Sequence, residues 1–348
     1  MKLLQLPTLI RRSIIIIFLP VALILLYSVL ILFFLLFCFG LLLSTLTDSR
    51  ENTFLRLYRV IAMITWYLLM ECLGVFSAGA LWILSGGGLL KNVRRVQRLH
   101  GKVQYRWTSG LLFGAKIFLN ANINFPDCSS LRSGPMIIIS QHRSFFDACI
   151  PSVLIGKSNG ETVLRHILKS ELILSPSLDL FGHRLPNYFV TRSSSVRGKE
   201  LASIAALASG LNQDACVIFP EGTFYSTHRF QRSLAEITSN DPNRVSRVQN
   251  LKHVLPLRPG GILSLLNSAP DADLIFIGHH GFDQFSSFRD ILRNVPFSTP
   301  ISITLKRIAN SQLPIDDEQR LTFLDDEWME IDRWNEKMFV KQQISEDL

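Results

Sequence analysis

Residues 136–147 read Met-Ile-Ile-Ile-Ser-Gln-His-Arg-Ser-Phe-Phe-Asp, and this stretch decides the fold. Its apolar, β-branched start predicts a short buried strand over Met136–Ser140. His142 and Asp147 follow five positions apart, whereas neighbours on one helix face lie three or four apart. The spacing therefore predicts His142 in the loop after the strand and Asp147 in the first turn of a helix. A carboxylate there can fix the imidazole tautomer and leave a base, although Ser144-x-x-Asp147 also fits a helix cap.

A second motif, Phe219-Pro220-Glu221-Gly222-Thr223, follows another strand-like run. Proline and glycine on either side of the glutamate predict a tight turn directly after the strand. A purely structural turn with an exposed Glu221 is the alternative interpretation. The presence of both motifs in one chain favours a joint site with a base, its orienting carboxylate and a second carboxylate.

Helix and strand signals alternate through the middle of the chain. The alanine-rich run Glu200–Leu211 predicts a helix. Short apolar runs predict the strands Met136–Ser140, Tyr188–Thr191, Ala215–Phe219, Val254–Leu257, Leu274–Gly278 and Ile301–Leu305. The alternation indicates an α/β domain over residues 101–312, with helices covering a mostly buried sheet.

The first hundred residues are too apolar for an ordinary globular segment. No charged residue lies between Arg12 and Asp48, and Glu71 is the only charge from Val60 to Leu90. Because about 20 apolar residues suffice to span a bilayer, residues 1–100 are predicted to form a membrane hairpin with spans at about 13–43 and 62–88. The carboxylate of Glu71 leaves an interfacial second segment as the alternative, and a hairpin is favoured.

Cations flank both predicted spans, at Lys2, Arg11 and Arg12 before the first and from Lys91 to Lys102 after the second. The positive-inside rule therefore places both ends of the hairpin in the cytoplasm. The expected localisation is an integral membrane protein whose catalytic domain lies on the cytoplasmic face, at the plasma or inner membrane if the source is bacterial.

The net charge of +8 is unevenly distributed, because residues 316–348 hold 11 acidic and 4 basic residues. A basic body fits an anionic membrane surface. Nucleic acid is not expected as a partner, since no reader motif or basic repeat is present. The five cysteines include no C-x-x-C pair, so a metal site is not expected either.

Residues 313–348 carry apolar side chains at three- and four-residue steps, from Leu321 to Met338. This pattern predicts an acidic amphipathic C-terminal helix. A membrane-lying helix favours cations on its polar face, so the helix is expected to dock on the α/β domain.

Four ordered blocks, spread over about residues 103–310, resemble the lysophosphatidic acid acyltransferase family (1-acyl-sn-glycerol-3-phosphate acyltransferases) of the glycerolipid acyltransferases. The blocks are His142-x-x-x-x-Asp147, Phe189-Val190-Thr191-Arg192, Phe219–Thr223 and Val254–Gly261, with Lys169-Ser170-Glu171-Leu172 between the first two.

The resemblance implies transfer of a fatty acyl group from acyl-coenzyme A or acyl carrier protein to the free hydroxyl of lysophosphatidic acid, which gives phosphatidic acid for phospholipid biosynthesis. It implies that His142 is the base and Asp147 its orienting group, with no covalent acyl-enzyme and no metal or other cofactor. Substrate binding is then expected from Arg192, Glu221, Gly222, Thr223 and Arg258, with Arg192 on the acceptor phosphate.

Two residues depart from the family pattern, Gln141 in place of the usual Asn and Phe224 in place of the usual Arg. The second removes a candidate phosphate ligand, for which Arg229, Arg258 or His228 are possible substitutes, and it keeps another lysolipid or an aminolipid acceptor open. A non-catalytic lipid-binding protein is the alternative of another class.

A serine esterase is disfavoured, although Gly156-Lys157-Ser158-Asn159-Gly160 matches G-x-S-x-G. A nucleophile elbow needs a strand before it and a helix after it. This stretch is expected to follow a helix and to lead into a strand-like segment at Glu161–Leu164.

Overall fold

The computed structural model describes residues 7–44, 53–158, 160–190 and 197–346. The chain divides into two compact units. The first comprises residues 1–122, 170–185 and 287–300. The second comprises residues 123–169, 186–286 and 301–348 and contains the sheet.

Seven strands form the sheet of the second unit, in the order β1-β7-β6-β2-β5-β3-β4. All neighbouring pairs are parallel except β6 and β7. The strands are β1 (Ile123–Asn124), β2 (Met136–Ser140), β3 (Leu164–Lys169), β4 (Tyr188–Val190), β5 (Ala215–Ile218), β6 (Asp273–His280) and β7 (Ile301–Ile308). The predicted α/β class is confirmed.

The centre of the sheet is buried on both faces. Every residue of β2 has no exposed surface, and successive side chains of a strand point to opposite faces. Ile137 and Ile139 pack into the main apolar core with side chains from five helices of this unit, namely α6 (Arg197–Ala208), α7 (Thr227–Asn240), α8 (Pro242–Val248), α9 (Pro259–Ser268) and α11 (Asp317–Glu346). A further α-helix in the described part of this unit is α4 (Ile150–Lys157).

The predicted strand over Val254–Leu257 is wrong. The segment is buried but is a loop, with no partner strand in the sheet. Pro256 has no N–H to donate, and side chains take up neighbouring amides: Val254 N donates to Asp332 and Leu255 N to Glu221. The apolar run reflects burial, which sequence periodicity alone does not separate from strand pairing.

Several other predicted bounds shift. The helix predicted over Glu200–Leu211 runs from Arg197 to Ala208 and stops before Gly210, whose φ of +62° favours glycine. The predicted strand over Ala215–Phe219 ends at Ile218, and Thr191 lies outside the described residues. Strands β1 and β3 were not predicted, although the strand-like Glu161–Leu164 leads into β3.

The first unit is helical. Its helices are α1 (Thr8–Ser44), α2 (Thr53–Leu84), α3 (Arg94–Leu119), α5 (Pro176–Gly182) and α10 (Phe288–Asn294). Among the described residues, two segments are long and apolar enough to cross a membrane by length and composition: Thr8–Leu32, with a mean hydropathy of 3.1, and Leu55–Leu84, with 1.8. The second ends before the predicted limit at 88 because Gly86, Gly87 and Gly88 all have positive φ. The predicted domain boundary at residue 100 falls within α3, and the domain limits stay a prediction.

Glu71, the only charged residue from Val60 to Leu90, is fully buried and contacts α5. Its carboxylate accepts hydrogen bonds from Ser175 Oγ (2.7 Å) and Ser177 N (2.9 Å). Ser177 Oγ donates in turn to the main-chain oxygen of Glu71 (3.2 Å). Gly74, one turn further along, has no side chain that would collide with Ser177. The charge is thus bonded to the start of a helix, where N–H groups and the dipole favour an anion.

Replacing Glu71 by Ala should destabilise the protein, because two buried donors lose their acceptor. An unsatisfied buried donor costs about 1–3 kcal/mol, so we expect a lower Tm for the full-length protein in detergent. Glu71→Gln keeps one acceptor oxygen and should lose less. Equal Tm values for wild type and Glu71→Ala would show that these bonds carry no stability.

Candidate active site

The candidate site lies where three neighbouring parallel strands end. β2 pairs with β5 on one side and with β6 on the other, so the segments that follow them are adjacent. His142 comes two residues after β2, Glu221 comes three residues after β5, and His279 is the penultimate residue of β6. Residues far apart in sequence therefore meet at one edge of the sheet.

His142 and Asp147 form a hydrogen-bonded pair. His142 Nδ1 lies 2.8 Å from Asp147 Oδ1, with His142 in the loop after β2 and Asp147 in a short 3₁₀ helix, Phe146–Cys149, that leads into α4. The carboxylate is fully buried, whereas the imidazole keeps about 11% of its surface exposed. With Nδ1–H donating to Asp147, Nε2 is left with a lone pair, as a general base requires.

The second oxygen of Asp147 is held by the main chain. Oδ2 accepts hydrogen bonds from Arg143 N (2.5 Å) and Ser144 N (2.6 Å). The reverse capping contact, from Asp147 N to Ser144 Oγ, is long at 3.4 Å. Asp147 therefore caps the loop and orients His142 at once, so the two interpretations of this motif describe one arrangement.

His279 is a member of this cluster that the sequence reasoning missed. Its Nε2 lies 3.4 Å from Asp147 Oδ2 and 3.1 Å from the main-chain oxygen of Gln141. Burial lowers the pKa of His279, which favours a neutral ring that donates from Nε2. A histidine inside the apolar run of β6 was the available signal, but only the pairing of β6 with β2 brings it to Asp147.

Glu221 connects two loops through the main chain. Oε1 accepts from His142 N (2.7 Å) and Oε2 accepts from Leu255 N (2.9 Å). The residue is 1% exposed. Burial raises the pKa of Glu221 to about 8, although both amide hydrogen bonds oppose the shift. This geometry supports a positioning role, and the substrate-binding role assigned to Glu221 stays a prediction.

Gly222, Thr223 and Arg258 form the outer part of the site. Gly222 has a φ of +67°, a conformation that favours glycine, and its Cα faces the Arg258 side chain, with an added Cβ only 3.5 Å from Cδ. Arg258 N donates to Pro220 O (3.0 Å), which holds the exposed guanidinium beside the turn. Thr223 is partly buried in the same turn.

Phe224, one of the two departures from the family pattern, packs edge-on against the His142 imidazole. The ring centroids of His142 and Phe224 are 4.5 Å apart, and Phe219 lies at 4.6 Å. Lys169 Nζ lies 5.6 Å from the centre of the Phe224 ring, and Arg229 donates to the Phe224 main-chain oxygen (2.9 Å). An aromatic ring thus lies beside the base, with cationic side chains around it.

Arg192, the residue expected to bind the acceptor phosphate, lies outside the described residues. Of the predicted site residues, the structure therefore brings together His142, Asp147, Glu221, Gly222, Thr223 and Arg258. The role of Arg192 stays a prediction.

Gln141 uses the extra length of its side chain, relative to the family Asn, to reach two elements. Its Oε1 accepts from His279 N (2.9 Å) and from Asn335 Nδ2 on α11 (3.1 Å). Gln141 N donates to Ile277 O (3.0 Å). Gln141, the residue before His142, is therefore hydrogen-bonded to both β6 and α11.

The predicted docking of the acidic C-terminal helix is confirmed, and its acidic side chains hold the Lys252–Leu257 loop. Asp332 accepts from the main-chain N–H groups of Lys252, His253 and Val254, at 2.6–3.2 Å. Asp325 pairs with buried Arg244, which also donates to Leu257 O (2.9 Å).

Ser158 is not placed as a nucleophile. It follows α4 and precedes β3, the reverse of the order that a nucleophile elbow requires. The residue is 3% exposed, and its Oγ donates to Ile155 O (2.7 Å). Ser158 therefore satisfies the last turn of α4.

Within the described part of the chain, no group of three or more His, Cys, Asp or Glu side chains is arranged to hold a metal ion. The contacts of His142, Asp147 and His279 are to protein groups. The expectation of no cofactor stays a prediction.

Comparison with known proteins identifies the segment that carries the site. Residues 122–248 match the protein-family model named Acyltransferase. No curated protein matches significantly. A solved structure that matches is the 1-acyl-sn-glycerophosphate (LPA) acyltransferase PlsC from Thermotoga maritima, at 11% identity and a TM-score of 0.44, covering 78% of this chain and 95% of that chain.

The resemblance to acyltransferases is thus confirmed over residues 122–248, which contain the first three of the four blocks, whereas the fourth block, Val254–Gly261, lies beyond the match. This segment contains the His142–Asp147 pair and the Glu221 turn, while Arg258 and His279 lie beyond its end. The family match therefore includes the loop that holds the hydrogen-bonded His142–Asp147 pair, and the role of His142 as the base stays a prediction.

The raised pKa of Glu221 predicts a pH dependence of stability. Its pKa is about 8 in the folded protein against 4.5 as the ordinary value, so between these pH values the folded state holds a proton that the unfolded state has lost. The free energy of unfolding should fall as pH rises through this window, by at most about 1.4 kcal/mol per pH unit. Denaturant unfolding of the wild type and of Glu221→Gln from pH 4.5 to 8.5 measures how the free energy of unfolding changes with pH in each protein.

The exposed Glu236 offers a matched control, since Glu236→Gln should keep the wild-type slope. Identical pH slopes in wild type and Glu221→Gln would contradict the assignment.

Proposed function

We propose that this protein is a membrane-bound acyltransferase that moves a fatty acyl group from acyl-coenzyme A or acyl carrier protein to the free hydroxyl of lysophosphatidic acid, giving phosphatidic acid. The observation that carries the proposal is the His142–Asp147 pair, 2.8 Å apart, inside the segment that matches the acyltransferase model. The partly exposed imidazole edge gives an acceptor access to Nε2.

The proposed reaction is one direct transfer. Nε2 of His142 takes the proton of the acceptor hydroxyl while its oxygen attacks the thioester carbonyl. A C–O bond forms and the C–S bond breaks, and the imidazolium returns the proton to the departing thiolate. Asp147 stabilises the imidazolium that forms, because its buried carboxylate faces Nδ1.

The acceptor phosphate is proposed to lie near Arg258 and Lys169. Arg258 is exposed beside the Gly222 turn, and Lys169 lies over the Phe224 ring that packs on His142. A guanidinium binds phosphate through paired N–H groups, and an ammonium binds it as a point charge. The two cations would hold the negatively charged acceptor phosphate on the open side of the base. Arg192 is expected to contribute to the same phosphate contact.

Membrane attachment is proposed through α1 and α2. Large apolar side chains on α1 are open to the surroundings, with Ile17 67% and Phe18 66% exposed. Such a surface is unfavourable in water and favourable in lipid. The flanking cations favour a cytoplasmic active site.

Phe224 supports a second candidate acceptor. An aromatic ring beside His142 supplies no charge for a phosphomonoester, so a lysolipid with a phosphodiester headgroup is the alternative substrate of the same chemistry.

Replacing His142 by Ala should abolish acyl transfer, because the base that activates the hydroxyl is lost. General-base catalysis contributes about 10²–10⁴-fold, so we expect a rate reduction of at least that order. The measurement is transfer of labelled acyl chains from acyl-coenzyme A by full-length protein in detergent, on a panel of lysolipids.

Phosphatidic acid formed by wild type and absent with His142→Ala would support both reaction and acceptor. If product forms only from a phosphodiester lysolipid, the acyl-transfer reaction is supported, but its acceptor is that lysolipid and not lysophosphatidic acid. Lysolipid binding without turnover, with either thioester donor, would favour a lipid-binding protein instead.

Replacing Arg258 by Gln should raise the KM for lysophosphatidic acid about tenfold and leave kcat nearly unchanged, because a binding charge is lost and the base is kept. The exposed Arg232 on α7 provides the control Arg232→Gln, for which both constants should stay at the wild-type values. A fall in kcat with unchanged KM would place Arg258 in the chemical step rather than in binding.

A further inference from the structure

The helical unit contains a cationic cavity that the acyl-transfer reaction does not use. Its volume is about 310 Å³, which lies at the lower end of the range of volumes found for ligand pockets. Five basic side chains line it, and none of the described residues that line it is acidic. They are Arg12, Lys91, His100, His183 and Arg184.

Partial neutralisation leaves a net positive charge in the cavity. Asp179 pairs with Arg12 (2.7 Å) and lies 3.1 Å from His183, and it also contacts Arg11 (3.2 Å). One carboxylate thus faces two guanidinium groups and an imidazole. The exposed Lys91 and the partly buried Arg184 add further positive charge, and Arg184 is held in place by a hydrogen bond to Ala78 O.

A buried histidine among the residues that line this cavity has a ring nitrogen without a hydrogen-bond partner. His100 lines the cavity and is only 2% exposed. Its Nδ1 lies 2.9 Å from Val96 O, whereas Nε2 has no hydrogen-bond partner in the described structure. Buried polar groups normally have one, so this nitrogen has an unused capacity for a hydrogen bond beside the cavity.

Burial lowers the pKa of His100, and the charge of Arg184 acts in the same direction. An anion bound beside the ring would reverse this effect, because a nearby negative charge favours the protonated form. Nε2 would then donate a hydrogen bond to the anion. The missing partner and the excess of cations therefore point to the same kind of ligand.

The position of the cavity within the unit indicates where the anion comes from. Arg12 lies near the start of the first candidate membrane span, and Trp82 lies at the end of the second, since the spans are Thr8–Leu32 and Leu55–Leu84. Trp82 is 46% exposed, and tryptophan favours the level of the lipid headgroups. Basic pockets at this level bind anionic headgroups.

We propose that this cavity binds the phosphate of an anionic phospholipid headgroup, as a second lipid site besides the catalytic one. The choice of a lipid rests on the membrane attachment proposed above, whereas the anion site itself rests on the cations and on His100. Phosphate is the shared chemistry of a headgroup and a free phosphate ion, so the test separates these two sources.

The test titrates full-length protein in detergent with dihexanoyl phosphatidylglycerol, dihexanoyl phosphatidylcholine and inorganic phosphate, using calorimetry. Phosphatidylglycerol is an anionic diester and is not the proposed product. We expect it to bind more tightly than phosphatidylcholine, and Lys91→Gln to weaken it about fivefold, the size of one cation near an anionic surface. Lys91→Arg should restore the affinity.

Lys116→Gln is the matched control, because this exposed lysine lies about 24 Å along α3 from His100, and it should leave binding unchanged. Equal affinity for the two lipids, or equal weakening by both Gln variants, would overturn the proposal. Inorganic phosphate binding as tightly as the lipid, with the same dependence on Lys91, would support the anion site and overturn the lipid as its source.

Acyl transfer is measured on the same preparations. A protein that is inactive but keeps Lys91-dependent lipid binding would contradict the proposed function and leave the second lipid site supported. A protein that is active but lacks such binding would contradict the second lipid site alone.

Discussion

The arrangement of the active site depends on one buried carboxyl group, that of Glu221. It accepts the N–H of His142 with one oxygen and the N–H of Leu255 with the other. These two amides belong to loops that are separated by more than a hundred residues, and neither residue is part of a strand, since His142 follows β2 and Leu255 lies between α8 and α9. Without an acceptor, each would be a buried donor left unsatisfied, at about 1–3 kcal/mol apiece.

Around this bridge, the site is held by hydrogen bonds to main-chain atoms. Asp147 binds the amides of Arg143 and Ser144, and Asp332 binds those of the Lys252–Val254 loop. Side-chain carboxylates therefore take the place of strand pairing where the sheet ends. A base that must keep its geometry through a reaction benefits from loops fixed in this way, since misplacement by about 1 Å is costly.

The C-terminal helix is part of this support. Asn335 reaches Gln141, and Trp328 Nε1 donates to Leu255 O (2.9 Å). Acidic residues of the tail thus serve as hydrogen-bond acceptors for a loop that is not paired in the sheet. Gln141 fits the same scheme, because its longer side chain spans the distance to α11 and to His279 at once.

The sequence predicts the central strands and the His142–Asp147 pair well, because continuous apolar runs and a loop of fixed length are local features. β3 was missed since Arg165 and His166 interrupt its apolar pattern. The Val254–Leu257 loop was predicted as a strand because a buried loop and a buried strand both show a continuous apolar run in the sequence. His279 and Asn335 could not be found, since their place at the site depends on strand order and on helix docking, which are tertiary properties.

The central claim is direct transfer from thioester to hydroxyl by the His142–Asp147 pair. The most direct test is release of free coenzyme A from acyl-coenzyme A, with and without lysophosphatidic acid, together with mass analysis of the intact protein. The account predicts rapid release only with the lysolipid present, no release by Asp147→Ala above background, and no acyl group on the protein. An acylated protein, or release by wild type that is independent of any acceptor, would contradict it.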